Sequence, residues 1–210
     1  MKLLRRPFRY TFWNAALTLV AINVFIFIAL SNIPQLYALL SLNITAVIRG
    51  GAFWQLLTYA FVHNDIQHLI FNMLGIIFFG CTIEKTLGSK EFLLFYLLSC
   101  LFCGIAAFSA YWASGSFHVF LMGASGVLFS ILFAFAVIFP RSSIFVWFVV
   151  PVPAPLLIAV YAAIELIGSF SRGMGLISHS THLAGFIFAF LYFIVRMGIN
   201  PIKVWRDAYR

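Results

Sequence analysis

The chain has 210 residues, 64% of them hydrophobic and 9% charged, with 13 lysines and arginines against five acids for a net charge of +8. Soluble domains run near half apolar and a quarter charged, so a water-soluble fold of this size cannot hide so much apolar surface, and lipid is the expected solvent. The basic residues sit at the ends of apolar runs rather than in one patch, which fits membrane orientation and argues against nucleic acid as a partner.

Residues 1–10, with Lys2, Arg5, Arg6 and Arg9, form a basic N-terminal segment. The apolar run 11–30 is too long for the core of a signal peptide and shows no clear small-residue cleavage site, so it is expected to stay as a first helix. Further runs long enough for a helix to cross the hydrocarbon core lie at 66–83, 91–112, 123–139, 151–168 and 181–197. Loop chemistry separates them: Asn32 and Pro34, then Leu87-Gly88-Ser89, Pro140-Arg141-Ser142 and Ser171-Arg172-Gly173. No internal repeat is evident. The expectation is an all-α membrane protein of six transmembrane helices, one domain over 11–198 with a C-terminal tail at 199–210.

Cys81, Cys100 and Cys103 lie within apolar runs and are expected to be buried and structural. A metal or redox pair of cysteines needs a polar, accessible setting and usually further ligands. No cofactor is implied.

If successive connections alternate sides, eleven lysines and arginines fall on one side and two, Arg49 and Arg172, on the other. Both termini are then expected in the cytoplasm and the long loop 31–65 outside, with Trp54 and Tyr59 at the interface. Spans two, four and six would run the same way, so their first residues would meet near the outer face. Those residues include His68 and Asn72, then Ser125, then His182.

Gly123-Ala124-Ser125-Gly126 opens the fourth span. A serine at a helix N-terminus lies beside backbone N–H groups with no helical partner, which suit a developing oxyanion. Small-x-small patterns also serve close helix packing, so the tetrapeptide alone decides nothing. A nucleophilic serine needs a base, and histidine has the right proton affinity. His182 opens the sixth span at the same expected depth, Gly126 and Gly185 would let the two helices approach, and Phe129 lies one turn below Ser125. The run shows no acid placed to complete a triad, so a Ser125–His182 dyad is expected. His68 and Asn72, four apart, share a helix face and offer side-chain donors.

Together these stretches resemble the rhomboid family of intramembrane serine proteases. The resemblance rests on His63-Asn64-Asp65-Ile66-Gln67-His68-Leu69-Ile70-Phe71-Asn72, on the GxSG around Ser125 and on His182-Leu183-Ala184-Gly185. Glu84-Lys85-Thr86-Leu87-Gly88-Ser89 is also similar to a family turn, and the likeness covers about residues 50–200. It implies a six-helix bundle that cleaves transmembrane segments of other proteins. Ser125 and His182 would form the dyad, and His68, Asn72 and the backbone at Gly123 and Ser125 the oxyanion hole. His63, Gly126, Phe129 and Gly185 would support the site. The fifth helix and residues 169–180, with Gly173-Met174-Gly175, would gate and cap it. The chain departs from the family at Trp54-Gln55, where Trp-Arg is common, and at Ala189, which replaces a second glycine.

Glu165, inside the fifth span, reads as structural rather than catalytic. Three rival functions fit the residues less well. A non-cleaving relative would commonly lack Ser125 or His182, a metalloprotease would show HExxH, and a transporter would carry its polar groups at mid-depth. The compact form suggests a bacterial inner membrane, with transmembrane proteins as substrates.

Overall fold

The computed structural model describes residues 5–146, 149–169 and 175–210. Helix α1 (Ala15–Asn32) is followed by three short helices, α2 (Gln35–Leu40), α3 (Ile44–Gly50) and α4 (Gln55–Thr58). Then come α5 (Ile66–Leu87), α6 (Ser89–Ser114) and α7 (Ser125–Ile138). A hairpin of β1 (Ser143–Val146) and β2 (Val150–Pro153) leads into α8 (Ala154–Gly168). The chain closes with α9 (Gly175–Tyr192), prolonged by a π turn over Phe193–Met197, and α10 (Pro201–Ala208).

All six expected runs form helices, with four shifts of boundary or content. The fifth begins at Ala154 rather than 151, because Val150–Pro153 pairs antiparallel with Ser143–Val146 and Pro155 falls in the first helical turn, where no N–H is needed. The sixth begins earlier, at Gly175, so His182 lies two turns inside α9 rather than at its start. The long first loop holds α2 to α4, and the tail holds α10, whose first turn is capped by the Asn200 side chain accepting from the Lys203 N–H at 3.2 Å. Gly173 and Met174 of the expected cap lie outside the described residues.

Among the described residues, α1, α5, α6 and the stretch His179–Met197 are long and apolar enough to cross a membrane. Helices α7 and α8 are shorter, at 14 and 15 residues, or about 21–23 Å at the helical rise. Helix α9 packs on α7 and α6, and α8 on α9 and α7, so α7 lies among its neighbours as its all-round apolar sequence requires. Large apolar side chains point outward: Phe25 is 71% exposed and Ile167 72%. A surface of that kind suits lipid.

Three buried polar groups fix the frame. The Glu84 carboxylate accepts from the N–H groups of Ala15 (2.6 Å) and Ala16 (2.8 Å) and from the Ser89 hydroxyl, so it caps α1 where no side chain of α1 does. Glu91 on α6 takes both Nε and Nη2 of Arg196 (2.8 and 2.9 Å), the Tyr192 hydroxyl (2.5 Å) and the Phe8 N–H (3.0 Å), which ties α6 to the end of α9. Gln55, 1% exposed, accepts from the Asn43 N–H and donates to Ala38 O and Leu39 O. Its amide thus organises the first loop at the Trp54-Gln55 departure noted above.

Candidate active site

The segment before α7 is stitched to that first loop. Leu121 and Leu42 exchange both backbone hydrogen bonds (2.9 and 3.0 Å), and the Gly123 N–H donates to Tyr59 O at 3.0 Å. Gly123 has φ 111°, a conformation that side-chain-bearing residues avoid, and a Cβ there would meet the His68 ring at 2.5 Å. The turn therefore needs glycine twice over, and it sets His68 against the residue two before Ser125. Gly123 was expected to contribute to an oxyanion hole. Its N–H is already committed to Tyr59, so its part is steric.

Ser125 is the first residue of α7 and half-buried. Helix α9 crosses close against α7 just below it. A Cβ on Gly185 would lie 2.1 Å from Gly126 O. The Ser130 hydroxyl donates to Gly185 O at 2.8 Å and lies 2.7 Å from Ser99 Oγ, pinning α7, α9 and α6 together. At this crossing His182 Nε2 stands 2.9 Å from Ser125 Oγ. The Phe129 ring stacks on the imidazole with centroids 4.2 Å apart and planes within 5°. The close contacts at Gly126 and Gly185 thus bring Ser125, His182 and Phe129 together.

Helix α5 is started by the Asp65 side chain, which accepts the His68 N–H at 2.8 Å. That puts His68 and Asn72 one turn apart on the side facing α7. Asn72 is 3% exposed, and its amide Nδ2 has no hydrogen-bond partner among the described residues. His63 stands edge-on to His68 with centroids 5.0 Å apart. Burial, and the neighbouring His68, push the His63 imidazole down to about 4, so a neutral ring backs His68.

The structure corrects the expectation that no acid is placed beside His182. Glu165, 6% exposed on α8, puts Oε1 3.1 Å from His182 Nδ1 and Oε2 2.5 Å from His179 Nδ1. The first is an ion-pair contact whose alignment falls short of a hydrogen bond. The signal available in sequence was an ionisable group inside an apolar span, where such groups are functional by default. Cys100 and Cys103 are fully buried as expected, whereas Cys81 is only half-buried.

Residues 50–198, which include every one of these side chains, match the model of the Rhomboid domain. The chain belongs to the rhomboid family. This rhomboid is 32% identical over 152 residues to RHOMBOID-like protein 12, mitochondrial, of Arabidopsis thaliana, covering 65% of the chain and 44% of the relative. It is 31% identical over 138 residues to Rhomboid protein 1, mitochondrial, of Saccharomyces cerevisiae, covering 63% and 39%. A shorter match, 37% over 89 residues, covers 41% of the chain and 16% of Rhomboid protease GluP of Bacillus subtilis. The chain thus spans less than half the length of these relatives. The family is membrane-embedded, in line with the composition. The expectation of a bacterial inner membrane is not supported, since two of these three relatives are mitochondrial.

Proposed function

We propose that this rhomboid is an intramembrane serine endopeptidase that cuts transmembrane segments of other membrane proteins, with Ser125 as nucleophile and His182 as base. The observation that carries this is the 2.9 Å contact between His182 Nε2 and Ser125 Oγ at the N-terminus of a helix. A relative named as a protease, GluP, supports it. The chain crosses the membrane six times as one domain over 11–198, with both termini on the lysine- and arginine-rich side. Helix α7 is about 9 Å short of a 30 Å hydrocarbon core, so Ser125 lies below the opposite surface.

Ser125 Oγ attacks the carbonyl carbon of the scissile peptide bond while its proton passes to His182 Nε2. The negative charge that develops on the carbonyl oxygen is met by the Ser125 backbone N–H, the Asn72 amide and His68. Collapse breaks the C–N bond, and His182 hands its proton to the departing amine, leaving an ester on Ser125. Water, deprotonated by the same imidazole, opens the ester and restores the enzyme.

The test uses purified full chain in vesicles with a single-span membrane protein as substrate. Two fragments are expected, with masses that put the cut inside the spanning segment, and a chelator should leave the rate unchanged. No fragments, a cut confined to the water-exposed flanks, or loss of cleavage with the chelator would each overturn the proposal.

A further inference from the structure

Glu165 is the only acid on α8, whose sequence is otherwise apolar but for Tyr161. A carboxylate buried to 6% exposure is costly unless charged or hydrogen-bonded partners compensate it. A purely structural pin between α8 and α9 needs one partner, and His179 at 2.5 Å supplies it. The second oxygen goes elsewhere, to Nδ1 of the histidine whose Nε2 faces Ser125. Glu165 and Ser125 therefore meet the two different nitrogens of one imidazole.

That arrangement has a chemical consequence. Phe129 stacks on one face of the ring and fixes its plane, so the two nitrogens at its edge choose the polar partners. A carboxylate can only accept, so the nitrogen beside it carries the proton. With the proton on Nδ1 beside Glu165, Nε2 keeps its lone pair for the Ser125 hydroxyl, which is the tautomer a general base requires. When Nε2 takes the serine proton the ring becomes a cation, and the nearest anion is already in place. The other titratable groups facing the ring are His179 and His68, and neither brings negative charge. The loose alignment at 3.1 Å fits a resting site, because catalytic hydrogen bonds often tighten only when substrate is bound.

Resting on the Ser125–His182 assignment, we infer that Glu165 is a positioning residue for His182, fixing its tautomer and stabilising its protonated form during cleavage. His179 shares the carboxylate but does not act on the reaction.

The test compares full-chain wild type, Glu165→Gln, Glu165→Asp, His179→Gln and Ser125→Ala in vesicles with one single-span substrate, measuring kcat and KM from pH 5 to 9. Glu165→Gln keeps the volume and removes the charge. Its kcat is expected to fall about 100-fold with KM within about twofold, a smaller loss than the ~10⁴ seen on changing the aspartate of a soluble triad to asparagine. The acidic limb of its kcat profile should move to lower pH, since a cationic ring without its anion gives up its proton more readily. Glu165→Asp, which keeps the charge one methylene further back, should lose less than 10-fold and keep the limb in place; it carries the test if the amide variant does not fold. His179→Gln should match wild type. An unchanged kcat and pH profile in Glu165→Gln overturns the inference, as does a His179→Gln variant with the same losses, which would reduce Glu165 to a pin between helices. Cleavage persisting in Ser125→Ala would instead overturn the assignment of the nucleophile, so the two failures are told apart.

Discussion

Alanine at Ser125, at His182 or at both is expected to bring cleavage down to one common floor, about 10⁴- to 10⁶-fold below wild type. In the proposed mechanism the two side chains act as a unit: without the base the hydroxyl is a poor nucleophile, and without the hydroxyl the base has nothing to activate. Their losses therefore should not add. What remains at the floor is binding and oxyanion stabilisation by Asn72, His68 and the first turn of α7, which none of the three variants removes. The fold should survive, because each side chain is half-buried rather than core. Measured kcat for the double variant equal to either single one supports the dyad. A double loss equal to the product of the singles contradicts it.

The second large effect comes from a residue that touches no substrate. Gly185→Ala sets a Cβ where Gly126 O lies 2.1 Å away, and neither backbone can yield without parting α7 from α9. Overpacking of this kind costs about 1–3 kcal/mol, and the Ser130 bond to Gly185 O at 2.8 Å is strained with it. The same separation pulls Ser125 from His182, and a misplacement of about 1 Å costs about 100-fold in rate. A lowered Tm together with a kcat loss of at least that size is the expected result, read on the fraction that remains folded. Full activity in a stably folded Gly185→Ala protein would mean that the crossing does not set the reacting geometry.

Much of this was legible in the chain itself, for identifiable reasons. Long apolar runs reveal helices that lipid must solvate, so α1, α5, α6, α7, α8 and α9 could be read from hydropathy alone. The short helices α2 to α4 could not, because a six-residue helix and an apolar loop have the same composition. The hairpin before α8 was hidden for a similar reason: Val150-Pro151-Val152-Pro153 is apolar enough to pass for the start of a span, yet its prolines fit an edge strand better than a helix interior. The early start of α9 was masked by the polar His179-Ser180-Thr181, which look like loop until Glu165 is found opposite.

At the site, Ser125, Phe129, Gly126, Gly185 and His182 were accessible because chemistry and close packing impose fixed residue types at fixed spacings. Glu165 reads from sequence as structural, since its nearness to His182 depends on how α8 lies against α9, and no spacing along the chain encodes that. The Gly123 N–H shows the converse. Its position next to the nucleophile invited an oxyanion role, whereas the fold spends that donor on Tyr59.

The most direct measurement of the central claim is covalent labelling of the full chain in membranes with a fluorophosphonate, followed by peptide mass analysis. Such reagents react with an activated serine and ignore the many inert hydroxyls of a protein. A single adduct on Ser125, absent when His182 is alanine, is the predicted result. An adduct on another residue, or none while substrate is still being cut, would contradict it.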